Sequence, residues 1–220
     1  SASTPTVTDT LTCSYTYTDE DNATDNSVDT DSSSVINWIV GTTTSPHTGA
    51  TAVMGSDLSA VKGNAVKCSV TPENSSGSGS ALESNSATVR NATPDTPGTP
   101  VLSVSGGLDG TATCSGWTFS DSDTGTGDLQ GAATVSWFKD GSTSASATSS
   151  VSGAATTSDI SLSSTTGGDL NGMVDGITTL ACAVKVKDDD SIPLESGISA
   201  TSNTETLENT APSVTVGTVV

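Results

Sequence analysis

Carboxylates in turns are the side chains of this sequence best suited to chemistry. They form two D-x-D groups, each following a segment that contains a cysteine, and the candidate ligands are Asp19, Asp21, Asp25, Asp121, Asp123 and Asp128. Clustered carboxylate oxygens suit Ca²⁺, which accepts six to eight oxygen ligands in flexible geometry. Asp-rich turns also occur without metal, because Asp side chains bond to nearby backbone amides. Calcium is therefore the one cofactor the sequence suggests, and a solvated turn is the alternative.

Three asparagines lie in N-x-S/T patterns, which are acceptors for N-linked sugar in exported proteins: Asn22, Asn74 and Asn91. Sugar at any of them would add bulk and solubility to the surface. Chance matches are frequent in a chain this rich in Ser and Thr, so an unmodified asparagine is the alternative at each position.

Catalytic patterns are scarce. His47 is the only histidine, in the segment TTTSPHTG, and a lone histidine without a convergent nucleophile is not a catalytic triad. The sequence contains no G-x-S-x-G, no phosphate-binding loop and no G-x-G-x-x-G. We therefore expect that the protein is not an enzyme.

The charge balance is strongly acidic, with 6 Lys and Arg against 25 Asp and Glu and a net charge of −19. This charge repels nucleic-acid phosphates, so nucleic-acid binding is not expected. No apolar stretch approaches the roughly 18 residues of a membrane-spanning helix, so direct membrane insertion is not expected. Aromatic residues make up only 3% of the 220 residues. The abundant Thr and Val, separated by Gly, Asp, Asn and Ser, predict an all-β chain.

The two halves of the chain repeat one pattern. LTCSYTYTDEDNATDNS, residues 11–27, aligns with ATCSGWTFSDSDTGTGD, residues 112–128, and VINWIVG at 35–41 aligns with TVSWFKDG at 134–141. A second cysteine and an N-x-x-P boundary then follow in each half. The sequence therefore contains a duplicated domain.

A cysteine, a tryptophan 23 or 25 residues later and then a second cysteine resemble the immunoglobulin-like β-sandwich. The resemblance implies a core tryptophan in each half, Trp38 and Trp137, packed on a disulfide between two sheets. Together with the repeat it selects the pairs Cys13–Cys68 and Cys114–Cys182. Two disulfides indicate an oxidising, extracellular or cell-surface location.

The alternation of side chains around the first cysteine of each half predicts further core residues. In a strand, Cys13, Tyr15 and Tyr17 share one face. The second half carries one extra residue here, so we expect a β-bulge at Gly116 that returns Trp117 to the core.

The whole chain is similar to the tandem immunoglobulin-like repeats of very long bacterial and archaeal surface or extracellular fibre proteins, whose units run NTAP…TDTLTC…W…VTCSV…NTAP. On this basis we expect a sandwich over residues 1–93 that lacks its own first strand, a second sandwich over 94–209, and the first strand of the next copy over 210–220.

The segment NTAPSVTVGTVV, residues 209–220, carries the same boundary signal as the start of the second half. Placed before a second copy, it puts 21 residues between Pro212 and the next cysteine, close to the 20 between Pro94 and Cys114. We therefore expect copies joined head to tail, with residues 212–220 completing the next N-terminal domain, covalently or by strand donation.

These features predict a structural, non-catalytic repeat unit of an extracellular fibre, stalk or filament. The alternative is an adhesin or carbohydrate-binding module that uses its end loops. For that module, the long loops expected over residues 41–57 and 141–157 would form the binding surface.

Overall fold

The computed structural model describes residues 4–19, 31, 33–123, 129–162, 170, 172–190 and 193–208. The chain divides into two compact units, with the boundary between Ala92 and Thr93. Each unit is built from β-strands. Within the described ranges, no helix has the length and apolar character needed to cross a membrane.

In unit 1, residues 1–92, the described residues form nine strands: β1 (Thr10–Thr12), β2 (Val35–Val40), β3 (Thr43–Thr48), β4 (Thr51–Val53), β5 (Ala65–Thr71), β6 (Glu73–Asn74), β7 (Gly77–Ser78), β8 (Leu82–Glu83) and β9 (Ala87–Thr88). One sheet pairs β1 with β4. The facing sheet has the order β3-β2-β5, and both β8 and β9 pair with the free side of β5. A short hairpin of β6 and β7 follows β5.

The core of unit 1 lies between these sheets. Trp38 on β2 is opposite Cys68 on β5, and Leu11, Ala52, Met54 and Val66 complete the buried cluster. These side chains alternate with exposed ones along β1 and β5, as expected for strands with one face in the core. A disulfide joins Cys13, directly after β1, to Cys68 on the other sheet.

In the described part of unit 2, from residue 93 onward, there are seven strands: β10 (Val101–Ser105), β11 (Thr111–Ser115), β12 (Gln130–Lys139), β13 (Ala147–Ser152), β14 (Thr157–Ser161), β15 (Thr179–Asp188) and β16 (Glu205–Thr206). One sheet has the order β10-β11-β14, and the other has the order β13-β12-β15-β16. A 3-10 turn, Gly107–Asp109, connects β10 to β11.

The core of unit 2 contains side chains from both of its sheets. Trp137 on β12 is opposite Cys182 on β15, and Cys182 forms a disulfide with Cys114 on β11. Two antiparallel sheets joined by a disulfide that packs on a tryptophan form an immunoglobulin-like β-sandwich. Both units have this arrangement. The predicted all-β fold, two sandwiches that each contain one internal disulfide, is therefore confirmed.

Gly116 accommodates the extra residue of the second half. Its φ is 81°, a conformation that glycine adopts without steric cost. After this kink Trp117 lies in the core, where it is 1% exposed. The matching expectation for unit 1 was wrong: Tyr15 is 41% exposed, and its hydroxyl donates a hydrogen bond to Asp31 (2.6 Å). That hydrogen bond raises the pKa of Tyr15.

The two long loops expected over residues 41–57 and 141–157 are largely strands. The first contains β3 and β4, and the second contains β13. Most of the Thr and Ser side chains of β3 and β13 occupy exposed positions, whereas Ser45 is buried. Immunoglobulin-like edge strands tolerate such residues, because only one face of each strand is buried.

Candidate functional site

The acidic turns are only partly within the described residues. Asp19, Asp121 and Asp123 are described, whereas Asp21, Asp25 and Asp128 lie outside the described ranges. Asp121 and Asp123 are both buried, and the backbone N–H of Asp123 donates to Asp121 Oδ1 (3.3 Å). In the described part of the chain, no three His, Cys, Asp or Glu side chains converge as a metal site. Calcium therefore stays a prediction.

The three N-x-S/T asparagines differ in their surroundings. Asn74 Nδ2, the atom that would carry the sugar, donates a hydrogen bond to Asp19 Oδ2 (2.7 Å). Its Oδ1 accepts the backbone N–H groups of Ser76 and Gly77, and so closes the turn between β6 and β7. Sugar on Asn74 would disturb this local network. Asn91 is half-buried, and Asn22 lies outside the described residues, so glycosylation stays a prediction at all three.

His47 has a structural contact. Its Nε2 lies 2.8 Å from the carbonyl oxygen of Thr51, across the turn between β3 and β4. A ring nitrogen held in this way fixes the turn. The contact assigns no chemistry to the side chain.

The two units differ in the pairing of the strand that carries, or directly precedes, the first cysteine. In unit 2, β11 has a neighbour on both sides, with β10 on one and β14 on the other. In unit 1, β1 pairs with β4, and among the described residues no strand pairs with its other side. A strand edge of this kind presents backbone groups ready to pair with another chain.

The direction of the backbone groups along β1 follows from its bonds to β4. The N–H of Cys13 donates to Ala50 O (2.7 Å), and Asp9 O accepts from the N–H of Met54 (3.1 Å). In an antiparallel pair, alternate residues bond to the same partner. The N–H and C=O groups of Thr10 and Thr12 therefore point away from β4, toward the open side.

A groove runs along this open side. One wall is formed by residues 11–16 and the other by residues 82–87, with Cys68 at the floor. Two cavities of about 160 and 190 Å³ lie along it. We call this feature the first-strand groove.

Residues at equivalent positions of the two units differ in burial beside the first strand. Ser202 is 8% exposed there, whereas its counterpart Ser84 is exposed. Trp117 is buried there, whereas Tyr15 is not. Leu82, on the wall of the first-strand groove, is 75% exposed. The groove is lined by both polar and apolar side chains, and among the described residues no strand occupies it as β10 does in unit 2.

Ser84 and Ser202 are equivalent because they make the same bonds. Ser202 Oγ accepts the N–H of Cys182 (2.9 Å) and donates to Asn203 O (2.7 Å). Ser84 Oγ accepts the N–H of Cys68 (3.1 Å) and donates to Asn85 O (2.7 Å). Each serine thereby fixes the backbone of the asparagine that follows it.

Asn203 uses its side chain to hold the first strand of unit 2. Its Oδ1 accepts the N–H of Leu102 on β10 (2.8 Å), and its Nδ2 donates to Leu102 O (3.1 Å). Asn85 lines the first-strand groove at the equivalent position. Sequence reasoning missed both asparagines. The signal that could have found them is the Ser-Asn pair, which occurs at residues 84–85 and again at 202–203, just before the end of each unit.

Comparisons with known proteins add little to this geometry. No family model and no curated protein matches the chain. Among solved structures, the crystal structure of domains A168–A170 from titin matches 80% of this chain at 17% identity, with a TM-score of 0.37. The chain spans about 55% of the length of that structure. The immunoglobulin-like assignment therefore rests on the strand order, disulfides and cores described above.

Proposed function

We propose that this protein is a non-catalytic structural repeat unit of an extracellular fibre, stalk or filament, in which copies follow one another head to tail. The observation that supports this most strongly is the first-strand groove of unit 1, whose counterpart in unit 2 is filled by β10. A unit with an open first-strand position, in a chain that carries a second first-strand sequence at residues 212–220, can form a linear series.

The proposed occupant of the groove is a copy of residues 212–220. Over residues 213–217 the segment alternates Val214 and Val216 with Ser, Thr and Gly, and two further valines follow at 219 and 220. Such alternation suits a strand with one buried face. Between residues 209 and 220 there is no ionisable side chain. Such a segment can approach a chain of net charge −19 without adding side-chain repulsion.

Two kinds of junction give the same contact. In one, Val220 is bonded to Ser1 of the next copy within a longer chain. In the other, separate subunits donate their C-terminal strands, as in other cases of β-strand addition. We favour the continuous chain, because the joined sequence reproduces the spacing found between the two halves.

Binding of a synthetic peptide with the sequence of residues 209–220 tests the proposal. The receiving protein is the full chain carrying Val214→Lys and Val216→Lys, so that its own segment does not compete. We expect saturable binding and a higher melting temperature for unit 1, because a ligand that binds only the folded state stabilises it. A scrambled peptide is the control, and equal responses to both peptides would contradict the proposal.

The alternative function is an adhesin or carbohydrate-binding module. Its expected binding loops are instead strands with Ser and Thr on their exposed faces. Binding surfaces are usually enriched in aromatic anchors, and aromatic residues are only 3% of this chain. A glycan array with the full chain distinguishes the two functions, since saturable sugar binding favours the module.

A further inference from the structure

We propose that Asn85 is the residue that receives and positions the incoming first strand, by bonding through its side-chain amide to both backbone groups of one residue in a copy of residues 212–220. This inference rests on the proposed function and names the side chain that sets the position of the strand in the first-strand groove.

The geometry comes from the equivalent asparagine of unit 2. Asn203 accepts from the N–H of Leu102 and donates to its C=O, at 2.8 and 3.1 Å. Leu102 is opposite Cys114, the disulfide cysteine of β11. The amide group of asparagine can do this because it carries a donor and an acceptor side by side.

The surroundings of Asn85 match those of Asn203 in its backbone bonding. Ser84 fixes its backbone through the bond to Asn85 O, as Ser202 does for Asn203. Its side chain is exposed beside Leu11, Thr12 and Cys13. Within the described residues, it makes no side-chain hydrogen bond. Donor and acceptor are thus both accessible from the groove.

The consequence of a two-point bond is a defined register. A slip of one residue exchanges the buried and exposed faces of a strand. An asparagine that hydrogen-bonds to both the N–H and the C=O of a single residue opposes such a slip, because in the slipped strand these backbone groups point in the opposite direction. Asn85 would therefore keep the valines of the incoming strand on the apolar side chains of the groove, among them Leu11 and Leu82.

The test measures the affinity of a fluorescent peptide of residues 209–220 for the full chain carrying Val214→Lys and Val216→Lys, with further changes at Asn85. Each net hydrogen bond contributes a factor of about five. We expect Asn85→Ala to weaken binding roughly 10- to 30-fold. Asn85→Asp, which keeps an acceptor but loses the donor, should weaken it as well.

Two controls separate a positioning role from a structural one. The melting temperature of unit 1 without peptide should be unchanged in Asn85→Ala, because the side chain makes no hydrogen bond to any residue that the structure describes. Asn203→Ala should lower the stability of unit 2 but leave the peptide affinity unchanged.

The outcomes are distinguishable. If the Asn85→Ala chain binds the peptide as tightly as the Asn85 chain does, the inference about Asn85 is overturned and strand addition stands. If the chain with Asn85 intact binds no peptide, the proposed function fails, and the inference fails with it.

Discussion

Ser149 and Ser158 lie on different sheets of unit 2, and their hydroxyl oxygens are 2.7 Å apart. Ser149 is on β13 and Ser158 is on β14, so the contact joins the edges of the two sheets. Ser149 Oγ also accepts the indole N–H of Trp137 (3.0 Å). One surface serine therefore satisfies the polar atom of a tryptophan at the centre of the core.

This arrangement predicts unequal effects of removing the two serines. Ser149→Ala leaves the buried indole N–H without its acceptor, which costs about 1–3 kcal/mol of unfolding free energy. Ser158→Ala leaves the bond between Ser149 and Trp137 intact, so its cost should be about 1 kcal/mol or less. Chemical denaturation followed by tryptophan fluorescence measures both. Equal losses would show that the indole finds another partner.

The two disulfides should differ in their rate of reduction. Cys13 and Cys68 are 4% and 5% exposed and lie at the first-strand groove, whereas both cysteines of the second pair are 0% exposed. Thiol–disulfide exchange requires access of a thiolate to a sulfur atom. We expect mild reductant to open Cys13–Cys68 first, as measured by alkylation and peptide mapping. Reduction of both bridges at the same rate would contradict this difference in access.

The stability supplied by each disulfide should nevertheless be similar. The bridges span 55 and 68 residues of sequence, and the loop-entropy model assigns about 4 kcal/mol to loops of this length. Replacing either pair by alanines should therefore lower the stability of its own unit by a comparable amount. Clearly unequal losses of stability would contradict the loop-entropy estimate.

Gly116 should be sensitive to substitution because of its backbone and not its surroundings. Its φ is 81°, and a Cβ would meet its nearest atom, Val101 Cγ2, at 4.0 Å. The strain of a left-handed residue costs roughly 1–2 kcal/mol, so Gly116→Ala should destabilise unit 2 by about this amount. Gly98→Ala is the matched control, since a Cβ there meets nothing within 4 Å and no left-handed φ is involved. Equal stabilities would contradict the role assigned to Gly116.

The calcium prediction is tested by chelation. Burial of ionised carboxylates is costly unless a positive charge or hydrogen bonds compensate, and Asp121 and Asp123 are both buried. If their turn holds calcium, EDTA should lower the melting temperature of unit 2. The loss is about 2.7 kcal/mol per site when calcium is at 100 times its dissociation constant. Asp123→Asn should respond less to EDTA, because it lacks one of the proposed ligands. An identical melting curve of the unchanged chain with and without EDTA would leave these residues as turn carboxylates.

Much of the fold could be predicted from the sequence because a few spacings constrain it strongly. The Cys–Trp–Cys pattern, present twice, places a disulfide and a tryptophan in each core. The extra residue before Trp117 could also be located, because only a glycine accommodates the kink easily.

Other features could not be derived, because they depend on pairing between distant segments. Alternation placed Tyr15 in the core, yet it is 41% exposed and its hydroxyl bonds to Asp31, which lies 16 residues further along the chain. The strands within residues 41–57 have the Ser and Thr content of loops, and become strands because β2 and β1 offer partners. The role of Asn203 depends on β10, which lies about a hundred residues away along the chain.

Amide hydrogen exchange in a tandem of two copies, with Val220 of the first bonded to Ser1 of the second, tests the central claim most directly. Thr12 is the probe, since its N–H points to the open side of β1, and Thr113, opposite Ser103 on β10, is the internal reference. With isotope labelling confined to the second copy, we predict that Thr12 exchanges about as slowly as Thr113, whereas in the single chain it exchanges rapidly. If Thr12 of the second copy exchanges as fast as in the single chain, residues 212–220 do not complete the next sandwich, and the head-to-tail account is contradicted.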